Sequence, residues 1–116
     1  MRVRDFRVTS FDDAVDQLGD RDVIQLCSST RLIRQYCNLI AIKFYDTDIV
    51  LYDSVGGVSI NSGGYRTVTT KQRLNRCLPE GFYVYQKRGV WRIRYDRGDT
   101  STVTDVVFND GMELVE

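Results

Sequence analysis

Leu39-Ile40-Ala41-Ile42-Lys43-Phe44-Tyr45-Asp46-Thr47-Asp48-Ile49-Val50-Leu51-Tyr52, followed by Gly56-Gly57-Val58-Ser59-Ile60, is the stretch that decides how this 116-residue chain folds. Residues 39–45 and 49–52 are β-branched and aromatic runs. Asp46-Thr47-Asp48 joins them as a hairpin signature, and Gly56-Gly57 turns the chain into a third short run. Upstream, Val23–Cys27 is a strand candidate after the Asp20-Arg21-Asp22 turn. Residues 31–36 fit strand or helix on their own pattern, with Cys37-Asn38 as the turn that follows. Downstream, residues 82–86 and 90–95 form a hairpin around Lys87-Arg88-Gly89, with Gly89 at a positive-φ position. Residues 103–108 are a further strand, and Asn109-Asp110-Gly111 turns the chain into residues 112–115.

Two helices interrupt this pattern. Ser10 is a good N-cap, and Asp12 and Asp13 put negative charge in the first turn, where the dipole favours it. Phe11, Ala14, Val15 and Leu18 make one apolar stripe, and Gly19 supplies a left-handed stop. Thr69 and Gln72 are spaced as a capping box, so a second helix is expected from Thr69 to about Leu78, ahead of Pro79 and Gly81. The expected fold is α+β: a single domain over residues 1–116 with a largely antiparallel sheet of about seven short strands, an N-terminal helix and a short second helix.

Composition removes whole classes of chemistry. With no histidine, Ser-His-Asp and Cys-His sites, imidazole bases and histidine-bearing zinc sites are excluded. Cys27, Cys37 and Cys77 are scattered and odd in number, so they read as small buried hydrophobes in a reducing compartment. No run reaches the roughly 18–20 apolar residues that span a bilayer, and the charged N-terminus leads into no signal-peptide core. The carboxylates show no recognised nuclease spacing. The expectation is a non-enzyme with no metal and no cofactor.

The 16 basic and 16 acidic residues cancel, but not evenly along the chain. Residues 61–98 carry nine basic and two acidic residues, whereas residues 99–116 carry five acidic and none basic. The basic segment opens with Asn61-Ser62-Gly63-Gly64-Tyr65-Arg66-Thr67-Val68-Thr69-Thr70-Lys71-Gln72-Arg73. Gly63 and Gly64 allow close backbone approach, and the hydroxyls of Thr69 and Thr70 sit beside the free N–H groups of a helix start. Lys71 opposes the dipole there, at a cost of about 0.3–1 kcal/mol unless an anion compensates it. Gly63, Gly64, Arg66, Thr69, Thr70, Lys71 and Arg73 are therefore candidate phosphate ligands. The same residues also read as a plain loop with capping threonines, and no Walker A spacing is present.

The second candidate surface is the hairpin that follows. Strand alternation puts Arg92 and Arg94 on one face and Trp91, Ile93 and Tyr95 on the other. Tyr83 and Tyr85 share a face of the partner strand, and Lys87 and Arg88 lie at the tip. Arginines beside tyrosines suit phosphate pairing and base stacking on single-stranded nucleic acid. They equally suit a half-buried hairpin whose arginine stems cover apolar surface. Thirteen of the 16 basic residues are Arg, the better bidentate phosphate ligand. Pairing of the acidic tail (Asp105, Asp110, Glu113 and Glu116) with this segment would compete with a nucleic-acid role.

The run at residues 39–50, the Asn-Ser-Gly-Gly-Tyr-Arg-Thr-x-Thr-Thr-Lys-x-Arg-Leu-Asn motif from Asn61, and Tyr83-Val84-Tyr85-Gln86-Lys87-Arg88-Gly89-Val90-Trp91 together resemble a family of small tailed-bacteriophage proteins. The resemblance covers about residues 31–93 and excludes the N-terminal helix and the acidic C-terminal segment. Its members often carry His at the place of Tyr45. It implies a phage origin and a strand at residues 31–36, and leaves the activity open.

Together these readings point to a phage-encoded binding protein in the host cytoplasm or the virion. Its ligand is phosphate-bearing, either nucleic acid or nucleotide. The alternative is a protein–protein module: an inhibitor of a host factor or host defence, or a small virion component that self-associates as a homo-oligomer.

Overall fold

A computed structural model describes residues 6–98 and 103–114. The stretch from residue 23 to residue 60 folds as a five-strand antiparallel meander, β1 (Val23–Cys27), β2 (Thr30–Tyr36), β3 (Leu39–Phe44), β4 (Thr47–Asp53) and β5 (Val58–Ile60). Helix α1 (Phe11–Leu18) precedes it, and α2 (Val68–Asn75) leads out of it into β6 (Phe82–Lys87), β7 (Val90–Tyr95) and β8 (Thr104–Val107). The last strand, β9 (Met112–Glu113), returns to pair with β5, giving a six-stranded sheet in the order β1-β2-β3-β4-β5-β9. Strands β6, β7 and β8 form a separate three-stranded antiparallel sheet.

This overturns the expected α+β class. The protein is mostly β, with nine strands in two sheets among the described residues and two helices of eight residues each. Neither helix is long enough to build a layer of its own. The expected single sheet divides because α2 intervenes after β5 and β6, β7 and β8 pair only among themselves, while β9 returns to β5. Residues 31–36, ambiguous alone, are strand because Arg31 and Leu32 find partners on both β1 and β3.

Local signals set most element boundaries. Ser10 caps α1 by accepting from the Asp13 N–H at 3.1 Å, and the Asp13 carboxylate accepts from the Thr9 N–H in return. Gly19 ends the helix at φ 62°. The β3–β4 turn is tighter than its composition suggests: Phe44 pairs with Thr47, so Tyr45-Asp46 is the whole loop, and Thr47 and Asp48 belong to β4. Tyr45 consequently adopts φ 52°, a left-handed conformation that is costly for a bulky side chain. Helix α2 begins at Val68 with Thr67 as its N-cap, not at Thr69, and ends at Asn75 rather than Leu78. Beyond Leu114, residue 115 of the expected last strand lies outside the described residues.

A continuous hydrophobic cluster lies against both sheets and both helices, including Leu18, Ile42, Tyr52, Leu74, Val84 and Trp91. The buried Tyr52 hydroxyl bonds the Cys77 carbonyl, with the Val8 carbonyl at 3.2 Å. Burial raises the Tyr52 hydroxyl well above its ordinary pKa, so it remains a proton donor. Cys27 and Cys77 are buried as expected, and burial also pushes the Cys77 thiol up. Cys37 departs from the expectation: it is exposed, because it occupies the β2–β3 turn.

Two joints hold the second sheet to the first. The Asn75 side chain donates to the Val84 carbonyl at 2.9 Å and accepts from the Val84 N–H at 2.7 Å, so α2 covers the open edge of β6 as a neighbouring strand would. Asp110 accepts from both the N–H and the hydroxyl of Ser62 at 2.7 Å, which fixes the chain after β8 onto the loop before α2.

Candidate ligand-binding site

The β6–β7 hairpin turns through Arg88 and Gly89, both at positive φ, as a type I′ turn requires. Its register places Tyr83 opposite Arg94 and Tyr85 opposite Arg92, so the arginines and tyrosines share the outer face. That face is substantially neutralised. Arg92 Nε donates to Asp105 at 2.7 Å, the Tyr85 hydroxyl bonds the same carboxylate, and Arg94 lies 3.7 Å from Asp96. The Tyr85 bond, then the Arg92 guanidinium, holds the Asp105 carboxyl below its ordinary value. Lys87 and Arg88 remain exposed at the tip, without a carboxylate partner among the described residues. Glu116 of the acidic tail lies outside the described residues.

The seven candidate phosphate ligands divide between two flanks of α2. Gly63 and Gly64 take positive φ, but their N–H groups are satisfied internally by Asn61 Oδ1 at 2.6 Å and Ser62 Oγ at 3.3 Å. A Cβ on Gly63 would come within 2.5 Å of Thr47 Oγ1, so close packing against β4 requires glycine there. Arg66 turns toward the second sheet. Its guanidinium lies 4.7 Å from the Phe108 ring centre and 5.2 Å from that of Trp91, and it reaches Asp110 at 3.7 Å. Burial pushes the Asp110 carboxyl up, but the Ser62 bonds and the Arg66 charge outweigh it and leave that carboxyl lowered. Lys71 lies on the same flank, 5.6 Å from the Trp91 ring centre. Thr70 is buried, its N–H taken by the Thr67 hydroxyl.

Arg73 faces the other flank. It is only 9% exposed, donates from Nε to Thr30 Oγ1 at 3.1 Å, and lies 5.7 Å from the Phe44 ring centre. No carboxylate meets it among the described residues, and its remaining N–H donors have no protein acceptor there. It lines a groove of about 840 Å³ between the N-terminal segment and α2, together with Arg7, Arg76, Gln72, Asn75 and Thr69. Arg7 reaches the Asn75 carbonyl at 3.5 Å and Arg76 the Phe6 carbonyl at 3.2 Å. The described lining contains three guanidinium groups and no acidic side chain. Sequence reasoning placed Arg73 in a site but missed Arg7, which joins it because the N-terminal segment docks there, the Val8 N–H on the Arg76 carbonyl and the Arg7 carbonyl on the Gln17 side chain.

A second cavity, of about 490 Å³, adjoins the groove at Thr69, which lines both. Its walls are Phe44, Tyr45 and Tyr65, with Ile49 behind them and the hydroxyls of Thr47 and Thr69 among its polar groups. Asp46 is its one ionisable carboxylate, and no cationic side chain lines it among the described residues. Groups of three or more cysteine, aspartate or glutamate side chains suited to a metal are absent among the described residues. No described helix is long and apolar enough to cross a membrane.

No curated protein and no solved structure matches the chain. A phage protein family does, over residues 13–115, which takes in most of α1 and the acidic segment that the sequence resemblance left outside. Over nearly its whole length the chain therefore belongs to the family described as Kyanoviridae Gp96 protein.

Proposed function

We propose that this phage protein is a non-enzymatic binding protein, and that it holds a phosphate-bearing ligand, nucleotide or nucleic acid, in the groove on the Arg73 flank of α2. The observation that carries this reading is the state of Arg73: nine-tenths buried, charged, and without a carboxylate partner among the described residues. Removing a charge from water costs several kcal/mol unless a counter-charge returns it. The contact with Phe44 offsets about 0.5–2 kcal/mol of that. An anion in the groove would supply the rest, and phosphate matches the forked donors of Arg73 and Arg7. Arginine keeps its proton at physiological pH, so this constellation offers binding rather than acid–base chemistry.

Thermal unfolding in rising concentrations of inorganic phosphate tests the reading. The melting temperature of the native chain rises as phosphate saturates the site. Arg73→Met removes a buried unpaired cation, so the unliganded melting temperature holds or increases while the phosphate response disappears. A variant that unfolds without phosphate, or a native chain indifferent to phosphate, overturns it. A nucleic-acid ligand adds a salt signature, with log K falling by about 0.7 per phosphate contact on single strands.

Strand β8 favours a second reading, the protein–protein module. Among the described residues it is the open edge of the three-stranded sheet, and Val106 and Val107 are half-exposed on it. Unpaired edge strands with apolar side chains recruit another strand. Static light scattering reads this directly: a mass above that of one chain, lost in Val106→Lys, supports self-association through β8.

A further inference from the structure

We propose that the aromatic cavity beside the groove receives the heterocyclic ring of the same ligand, which makes that ligand a nucleotide; this rests on the phosphate reading of the Arg73 groove. The two spaces are electrostatic opposites. The groove has guanidinium groups and no carboxylate in its described lining, whereas the cavity has Asp46 and no cation. A phosphate is repelled by Asp46 in the cavity and attracted by the guanidinium groups of the groove, which Phe6 and Tyr83 also line. Thr69 lines both, and Phe44 forms a wall of the cavity while its ring centre lies 5.7 Å from the Arg73 guanidinium. A ligand with a planar group at one end and a phosphate at the other therefore matches the order of chemistries across Thr69.

The cavity is built to hold a ring. Tyr45 and Tyr65 leave large aromatic surfaces in water, at 65% and 68% exposure. Tyr45 is held there against its conformational preference: φ 52° suits Gly or Asn, and its N–H is fixed to the Ser29 carbonyl at 2.9 Å. Its ring packs on one side against Phe44, 4.7 Å away centre to centre, and leaves the other side open, and strained residues of this kind gather at ligand clamps. The hydroxyls of Thr47 and Thr69 and the Asp46 carboxylate have no hydrogen-bond partner among the described residues. They offer both donors and acceptors to a ring edge, and Asp46 selects a ring or ribose that presents a donor. The volume, about 490 Å³, lies inside the range of small-ligand pockets, about 300–1,000 Å³.

The full chain, ¹⁵N-labelled, is titrated with inorganic phosphate, with adenosine, guanosine, cytidine and uridine, and with their 5′-monophosphates. At least one monophosphate is expected to bind tenfold or more tightly than inorganic phosphate, since stacking of one base is worth about that factor or more. Tyr65→Ala, at an exposed position, removes that tenfold gain and leaves the affinity for inorganic phosphate unchanged. Tyr45→Asn, which relieves the backbone, raises the melting temperature while it also lowers monophosphate affinity. Arg73→Met loses both phosphate and monophosphate binding. Monophosphates that bind no better than inorganic phosphate overturn the ring subsite and leave the phosphate groove standing. A nucleoside that binds as tightly as its monophosphate overturns the groove and, with it, the nucleotide assignment. Failure of every probe overturns both.

Discussion

The β6–β7 hairpin and the Arg73 flank of α2 are both rich in arginine, yet they are electrostatically different surfaces. On the hairpin each strand arginine has a carboxylate beside it, Asp105 for Arg92 and Asp96 for Arg94. On the α2 flank Arg73 is more deeply buried than either and has none among the described residues. The difference lies in where the acidic residues return in the fold, not in the number of arginines. A neighbouring carboxylate makes an arginine part of the scaffold, and only a cation left without one retains affinity to offer an anion.

The joint between the two regions should be the most expensive to break. Asn75→Ala strips both main-chain partners from Val84 on the covered edge of β6, and should cost about 2–3 kcal/mol in urea unfolding. Asp110→Ala comes next. It leaves the buried Ser62 N–H and hydroxyl without their acceptor, at about 1–2 kcal/mol, and releases Arg66 from its carboxylate. If pairing is what silences the hairpin side, this variant gains a phosphate response at Arg66 that ¹⁵N spectra would reveal.

Acid separates the two surfaces more gently. Asp105 and Asp110 titrate below their ordinary values in the folded chain, so their contribution is present above the unfolded carboxylate pKa, about 3.9, and is lost as pH falls through the lowered folded values. Denaturation midpoints should therefore decline below about pH 4, and Asp105→Asn should flatten that decline. Among the described residues Arg73 has no carboxylate partner, so phosphate binding there should not follow the same curve. The smallest effect is expected at the hairpin tip. Arg88→Asn supplies the residue a type I′ turn prefers before glycine, and should stabilise by about 0.5 kcal/mol without altering phosphate binding.

Much of this was legible in the sequence where the cause is local. Helix α1 follows from Ser10, its apolar stripe and Gly19, and the structure places all three as expected. Strands were recognisable from β-branched runs, but their division into two sheets was not, because pairing between strands distant in sequence leaves no local trace. The Asp46-Thr47-Asp48 turn failed for a related reason: turn-forming composition gave its neighbourhood, while the Phe44–Thr47 register placed it one residue earlier, onto Tyr45. The candidate site was half legible. Lys71 and Arg73 stand two residues apart, hence about 200° apart around a helix, and cannot serve one ligand on one face. Helical periodicity already contained that separation. Arg7 carried no such signal, since the docking of the N-terminal segment against Arg76 and Gln17 brings it to the groove.

The pairing of β9 with β5 also imposes an order in time. Ile60 meets Met112, so the six-stranded sheet waits for 52 further residues to be synthesised before its last strand can dock. At about 5–20 residues per second that delay is about 3–10 s on the ribosome. Five of the 16 acidic residues lie beyond residue 98, so residues 1–98 emerge with 16 basic against 11 acidic side chains, a net charge of +5. Asp105 and Asp110, which quiet Arg92 and Arg66 in the finished molecule, are among the last side chains to arrive. The growing chain is thus slightly acidic at residue 60, cationic by residue 98, and brought to neutrality by residues 99–116.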